Sequence, residues 1–147
     1  RWQAEIDRVT HEALDVLGQG ADPIVFTSSG PDDPANGRFN AAVKRSAHSS
    51  EQINSSVGRG LGQVLGTLAR KAGLPRGVIA GGDTSSHGAC ELGIFALTAL
   101  APVAPGVAIC RAHSDDPAID RFQIALKGGQ MGGQDFFEQV RQGGVAS

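Results

Sequence analysis

Residues 77–94 read GVIAGGDTSSHGACELGI, in which a short apolar run meets two glycines, an acid and three hydroxyl side chains. The apolar run predicts a β-strand, and the pattern that begins at Ser85 predicts a helix. The glycines therefore lie at the junction between a predicted strand and a predicted helix. In open α/β sheets such a junction lies at the carboxyl end of the strand, where ligands bind.

The residues of this junction suit a bound anion. A helix N-terminus offers unpaired N–H groups and a partial positive charge, and Gly81 and Gly82 allow close approach of the backbone. Thr84 and Ser85, like the serine that follows them, can cap the helix or donate to phosphate oxygens. Asp83 repels an anion directly, so it suits a magnesium ion, a ribose hydroxyl or a neighbouring amide.

A second junction of the same kind lies at residues 125–137, which read ALKGGQMGGQDFF. Lys127 ends the predicted strand, and Gly129 and Gly132 belong to the glycine-rich loop that follows. A lysine beside such a loop neutralises phosphate charge. Two such loops from one sheet predict a polyphosphate site between them. Neither loop fits G-x-x-x-x-G-K-[ST] or G-x-G-x-x-G, so ordinary tight turns stay open as the alternative.

The rest of the chain alternates helices and strands. Apolar periodicity predicts helices over 2–17, 49–74 and 133–144 and a short one over 40–46, with strands over 24–27, 77–82, 95–103, 106–112 and 122–129. The glycines of the long helix would be tolerated if it packs very close to a sheet or a ligand. We expect residues 1–147 to form one α/β domain of three layers, with a mostly parallel central sheet flanked by helices.

Composition excludes several classes of protein. The net charge is −2 with scattered Lys and Arg, which argues against a nucleic-acid partner. No apolar stretch reaches the roughly 18 residues of a membrane span, so no membrane partner is expected. The two cysteines lack a CxxC spacing and the four histidines lack metal-ligand spacing, which predicts free thiols, no metal site and a cytoplasmic location. The sequence contains no G-x-S-x-G motif, so it gives no support for the catalytic triad of a hydrolase.

The two junctions together resemble those of the four-carbon acid sugar kinases, and specifically their C-terminal nucleotide-binding domain. The family pattern has a strand into G-G-[DE]-T-S, a helix ending in L-G, a Pro-Gly turn, a strand into L-K-[SG]-G-x-x-G and a helix opening D-F-F. The matching residues, in the same order, are Gly81 to Ser85, Leu92-Gly93, Pro105-Gly106, Leu126 to Gly129 with Gly132, and Asp135 to Phe137. The resemblance covers nearly the whole chain.

This resemblance implies an ATP-dependent kinase that phosphorylates a hydroxyl of a small sugar acid, with ATP and Mg²⁺ as cofactors. The spellings KGGQMG and GGDTSSHG are similar to members that act on 3-oxo-isoapionate-type substrates. The nucleotide-binding residues that it implies are Gly81, Gly82, Asp83, Thr84, Ser85, Gly129 and Gly132. Lys127 is added on charge and placement alone.

The family also has an N-terminal domain that binds the sugar acid, and nothing in this chain matches it. We therefore expect a fragment that does not turn over alone, with no catalytic residue assigned within it. A homo-oligomer is compatible with the sequence. Two alternatives stay open: a non-catalytic module that senses a nucleotide or sugar phosphate, and a structural domain whose glycines only make turns.

Overall fold

The computed structural model describes residues 2–144, which form five helices and one four-stranded sheet. The elements in chain order are α1 (Trp2–Gly18), α2 (Pro34–Arg45), α3 (Ser50–Ala72), β1 (Arg76–Ala80), α4 (Gly82–Glu91), β2 (Ile94–Ala104), β3 (Val107–Ser114), β4 (Gln123–Lys127) and α5 (Phe136–Gln142).

The strand order in the sheet is β1-β4-β3-β2. β1 and β4 are parallel, whereas β4 with β3 and β3 with β2 are antiparallel. The α/β class is confirmed, but the prediction of a mostly parallel sheet is wrong. The reason is the tight turn at Pro105 and Gly106, where a φ of 77° at Gly106 folds β2 and β3 into a hairpin.

The predicted strand over residues 24–27 is also wrong. This segment has no strand partner in the described part of the chain, and Ile24 and Phe26 are exposed. Only Val25 packs inward, against the cluster between α1 and α3. Short apolar runs do not by themselves separate a strand from a packed loop, so the tertiary contact decides here.

Helices cover both faces of the sheet, which confirms the three-layer arrangement. On one face, Ile79 and Ile124 of the sheet pack with Ala69 of α3 and with Leu92, which follows α4. On the other face, Ile109 and other strand residues pack with Phe136 and Val140 of α5. α1 lies outside α3, in a cluster with residues such as Ile6 and Leu68.

α3 begins and ends at residues that cap it. The Ser49 side chain accepts the N–H of Gln52, whose side chain accepts the N–H of Ser49 in return, which makes a capping box. Gly73 ends the helix in the left-handed conformation at φ 63°. The short helix predicted over 40–46 is longer, because Asp33 caps it and Pro34 occupies its first turn.

The glycines of α3 do allow close packing, but against helices. A Cβ on Gly58 would stand 2.9 Å from the Cβ of His87, and one on Gly62 would stand 2.8 Å from the carbonyl oxygen of Gly88, both in α4. A Cβ on Gly60 would stand 2.7 Å from the ring of Trp2 in α1. The contacts of Gly58 and Gly62 fix the position of α4, and therefore also the position of the first glycine loop.

Candidate functional site

The two glycine-rich junctions lie side by side at one edge of the sheet. β1 and β4 are adjacent and parallel, and their register sets Ala80 opposite Lys127. The N–H of Gly81 donates to the carbonyl oxygen of Lys127 at 2.8 Å. Because parallel strands end at the same edge of a sheet, the loops that follow β1 and β4 begin next to each other. The structure thus brings together the two loops that the sequence singled out.

α4 begins earlier than the sequence predicts. Gly81 is the N-cap, at φ 116°, and the first intrahelical bond runs from the N–H of Ser85 to the carbonyl oxygen of Gly81 at 2.9 Å. Asp83, Thr84 and Ser85 therefore lie inside the helix. Within residues 2–144 no side chain caps this helix, so the hydroxyls do not take the capping role that the sequence left open beside donation to a phosphate. The backbone N–H groups of the first turn stay available to another acceptor.

The side chains of the first turn differ in what they can reach. Ser85 is only 8% exposed, and its hydroxyl donates back to the carbonyl oxygen of Gly82 at 2.9 Å. Thr84 is half-buried beneath α3, with its Cα 3.3 Å from the position that a Cβ on Gly58 would take. Asp83 is exposed and lies in the first turn. Among the three, Asp83 is the side chain that can reach a ligand without a change of rotamer or packing.

Lys127 folds onto its own loop. Its ammonium donates to the carbonyl oxygen of Gly129 at 2.7 Å and lies 5.7 Å from the centroid of the Phe136 ring. This position fits a cation–π contact and keeps the charge beside the glycine loop. To contact a phosphate, the ammonium would exchange the carbonyl oxygen for a phosphate oxygen.

The two loop glycines that the sequence singled out here serve different purposes. Gly132 has φ 82°, and a Cβ there would stand 2.5 Å from the ring of Phe136, so the turn requires glycine. Gly129 is exposed, its φ is not positive, and no atom lies within 4 Å of the position that its Cβ would take. Gly82, at the start of α4, is equally open. The fold of this domain therefore requires glycine at Gly132, and neither of the other two positions shows such a requirement.

Sequence reasoning missed the support that α3 gives to the site. His87, one turn further along α4, lies with its Nδ1 3.4 Å from the hydroxyl of Ser55 in α3. The signal was present in the spacing of Gly58, Gly62 and Gly66 at four-residue intervals, which places them on one face of a helix.

The described residues contain no ready-made metal centre. Nowhere in 2–144 do three His, Cys, Asp or Glu side chains converge. Mg²⁺ in nucleotide sites is held by one or two carboxylates together with the substrate phosphates, so it does not require such a cluster. Asp83 is a carboxylate that fits this role. In the same residues, no helix has the length and hydropathy that crossing a membrane requires.

Comparison with known proteins identifies the family of this chain. Residues 1–137 match the family described as the nucleotide-binding C-terminal domain. The chain belongs to this family. Its relatives include a 3-oxo-isoapionate kinase of Paraburkholderia graminis, which is 43% identical over 143 residues. A 3-oxo-tetronate kinase of Cupriavidus necator is 36% identical over 123 residues. The resemblance to the C-terminal domain of four-carbon acid sugar kinases is thereby confirmed.

This nucleotide-binding C-terminal domain accounts for a minor part of those relatives. The matched region covers 97% of the chain and 30% of the Paraburkholderia protein, and 84% of the chain and 26% of the Cupriavidus protein.

Solved structures share the fold of this family member. A Haemophilus influenzae protein is similar with a TM-score of 0.64 and 24% identity, over 93% of this chain and 30% of that one. A Bordetella bronchiseptica domain, crystallised as a domain-swapped dimer with bound citrate, has a TM-score of 0.58 and 19% identity, over 90% of this chain and 35% of that one.

Proposed function

We propose that this chain is the ATP-binding domain of a kinase that transfers the γ-phosphoryl group of ATP to a hydroxyl of a small sugar acid. The observation that carries the proposal is the hydrogen bond between Gly81 and Lys127, which joins the two loops at one sheet edge. The names of the 3-oxo-isoapionate and 3-oxo-tetronate kinases support the acceptor class. Another part of the kinase binds the sugar acid and supplies the catalytic base, so this domain alone does not catalyse the phosphoryl transfer.

In this proposal, the first loop binds phosphate through its backbone. The N–H groups of Gly82, Asp83 and Thr84 point out of the uncapped first turn of α4, where the helix dipole favours negative charge. No atom of residues 2–144 lies within 4 Å of the position that a Cβ on Gly82 would take, which leaves room for a phosphate beside the first turn. Ser85 contributes by bonding back to Gly82, which holds the turn in shape.

The two charged side chains have different roles in this proposal. The Asp83 carboxylate would hold Mg²⁺, and the ion would neutralise charge on the phosphate oxygens. The Lys127 ammonium, already beside the second loop, takes a phosphate oxygen in place of the Gly129 carbonyl. Gly129 leaves space at that point, while Gly132 shapes the turn. The result is an electrostatic clamp that orients the γ-phosphoryl group for transfer.

The variants Gly82→Ala and Gly129→Ala test this proposal against a purely structural role for the glycines. Neither position has a positive φ, and no atom of residues 2–144 lies within 4 Å of the new methyl, so the melting temperature should not fall. A methyl in the path of a phosphate should lower the affinity for Mg·ATP by about tenfold, which is about 1.4 kcal/mol. The measurement is calorimetric titration of the full-length protein.

The matched control is Gly37→Ala, an equally open glycine in α2. It should leave the affinity for Mg·ATP unchanged, and because alanine is the better helix former it should not lower the melting temperature. Wild-type affinity in both loop variants would contradict the proposal, as would no binding of millimolar ATP by the full-length wild type. Binding of ATP without phosphoryl transfer to any sugar acid would favour a non-catalytic nucleotide module.

A further inference from the structure

An apolar groove lies on the β2–β3 hairpin. Leu97 and Ala99 of β2 are exposed, and Ala108 and Cys110 of β3 are half-buried. Together with Leu126 of β4 they line an open cavity of about 580 Å³. This volume lies within the roughly 300–1,000 Å³ of small-molecule sites. Among residues 2–144 no charged side chain lines the groove, and β2 itself carries none.

The groove lies on the same face of the sheet as α4. Ala99 pairs with Cys110, and Cys110 pairs with Ile124, so these side chains share one face. Ile124 belongs to the cluster that packs under α4, and Leu126 packs against the same cluster. α3 covers one flank of α4 through close contacts such as that of Gly58. The groove lies further along the sheet, toward its β2 edge.

The groove is also continuous with the two loops. Leu126 directly precedes Lys127, the residue whose carbonyl bonds to Gly81. At the hairpin turn, a Cβ on Gly106 would stand 2.3 Å from the Cε of Met131 in the second loop. From β4 to β2 is two strand spacings, or about 10 Å. A nucleoside triphosphate with its phosphates at the loops is long enough to lay its base over the hairpin.

We propose that this groove holds the purine base of the nucleotide whose phosphates the two loops bind, an inference that rests on the proposed function. The small side chains of Ala99 and Ala108 leave a flat, uncharged floor between Leu97 and Leu126, which suits the face of a planar ring. A sugar acid carries a carboxylate and several hydroxyls, and the groove offers no charged group to receive them. Its chemistry therefore fits the base and not the acceptor.

Cys110 supplies a direct readout, because its half-buried thiol lines the groove. The experiment measures the alkylation rate of Cys110 by iodoacetamide in the full-length protein, followed on the Cys110 peptide by mass spectrometry. Mg·ATP at about ten times its dissociation constant should slow the reaction about tenfold. Inorganic tripolyphosphate with Mg²⁺, which has the phosphates but no base, should compete with ATP and yet leave the rate unchanged. The exposed thiol of Cys90 is the internal reference.

The variant Ala99→Trp tests the same point without chemistry on the thiol. An indole in the groove should weaken ATP binding by about tenfold or more, while the affinity for tripolyphosphate stays at the wild-type value. The matched control is Ala96→Trp, which is exposed on the same strand but pairs with His113 on the opposite face. It should bind both ligands normally.

The outcomes separate this inference from the proposed function. If ATP binds and the loop variants weaken it, but Cys110 reacts at the same rate, the base lies elsewhere and the inference is overturned. If neither ATP nor tripolyphosphate binds, the proposed function fails and the inference fails with it. Protection of Cys110 that depends on protein concentration and not on ATP would show that two copies meet at this groove, and would also overturn it.

Discussion

The contact between α3 and α4 positions the first glycine loop, and Gly62→Ala tests it. A Cβ on Gly62 would stand 2.8 Å from the carbonyl oxygen of Gly88 and 3.0 Å from the Cβ of Glu91. Backbone cannot retract from such a contact as a long side chain can, so α4 has to move away from α3. Overpacking of this kind costs about 1–3 kcal/mol. Replacing a helical glycine by alanine gains about 1 kcal/mol. The expected net loss is therefore about 1 kcal/mol.

The matched control, Gly66→Ala, lies one turn further along the same face of α3. Its Cβ would meet only the ends of side chains, Arg70 Nη1 at 2.9 Å and Leu92 Cδ2 at 3.0 Å. These can shift by a few tenths of an ångström, so most of the helix-propensity gain should be kept. We expect Gly66→Ala to melt at or above the wild-type temperature, and Gly62→Ala to melt about 3 °C below it.

The assay is thermal unfolding followed by circular dichroism, together with titration of Mg·ATP into each folded variant. Because Gly62→Ala displaces α4, it should also weaken ATP binding, whereas Gly66→Ala should not. A Gly62→Ala protein at least as stable as Gly66→Ala would show that α4 is not held against α3 at backbone distance.

Two further predictions concern stability. Ser49→Ala removes the hydroxyl that accepts an amide N–H in the first turn of α3 and should cost about 1 kcal/mol in urea unfolding, whereas Ser50→Ala, just inside the helix, should be nearly neutral. Equal effects of the two serines would contradict the assigned cap. The N–H of Ala118 and the guanidinium of Arg70 hold the pKa of Asp116 below its usual value. A folded-state pKa below the unfolded one stabilises the protein above the unfolded pKa, and this contribution is lost as the pH falls through the folded pKa. The melting temperature of Asp116→Asn should therefore lie below that of the wild type at pH 7, with the gap closing as the pH falls below about 4. A difference in melting temperature that is the same at pH 7 and below about pH 4 would contradict the role of the Asp116 charge.

Much of the local structure could be predicted from the sequence because its signals are local. The serine before α3 and the glycine after it mark that helix, and the Pro-Gly turn marks the hairpin. The α/β class follows from the alternation of elements. The direction of strand pairing could not be predicted, because an apolar run specifies that a strand is buried and not which neighbour it bonds to. For the same reason, residues 24–27 have the composition of a strand and yet find no place in the sheet.

The candidate site shows the same division at the level of single residues. The sequence indicated that Gly81, Gly82 and Lys127 lie at strand ends. It misplaced the start of α4, because serine and threonine are good caps and the glycine that takes the N-cap here has no side-chain signal. It also could not show that Lys127 turns back to Gly129, since that depends on the conformation of the loop.

The sequence shows which short segments can approach a phosphate, because glycine content and helix starts are properties of neighbouring residues. That the two loops meet depends on the folded chain. Their meeting depends on β1 pairing with β4, two strands far apart in the chain, and on α3 packing against α4 at backbone distance. Such pairings are fixed by hydrogen bonds and packing summed over the whole sheet, which no single stretch of sequence contains.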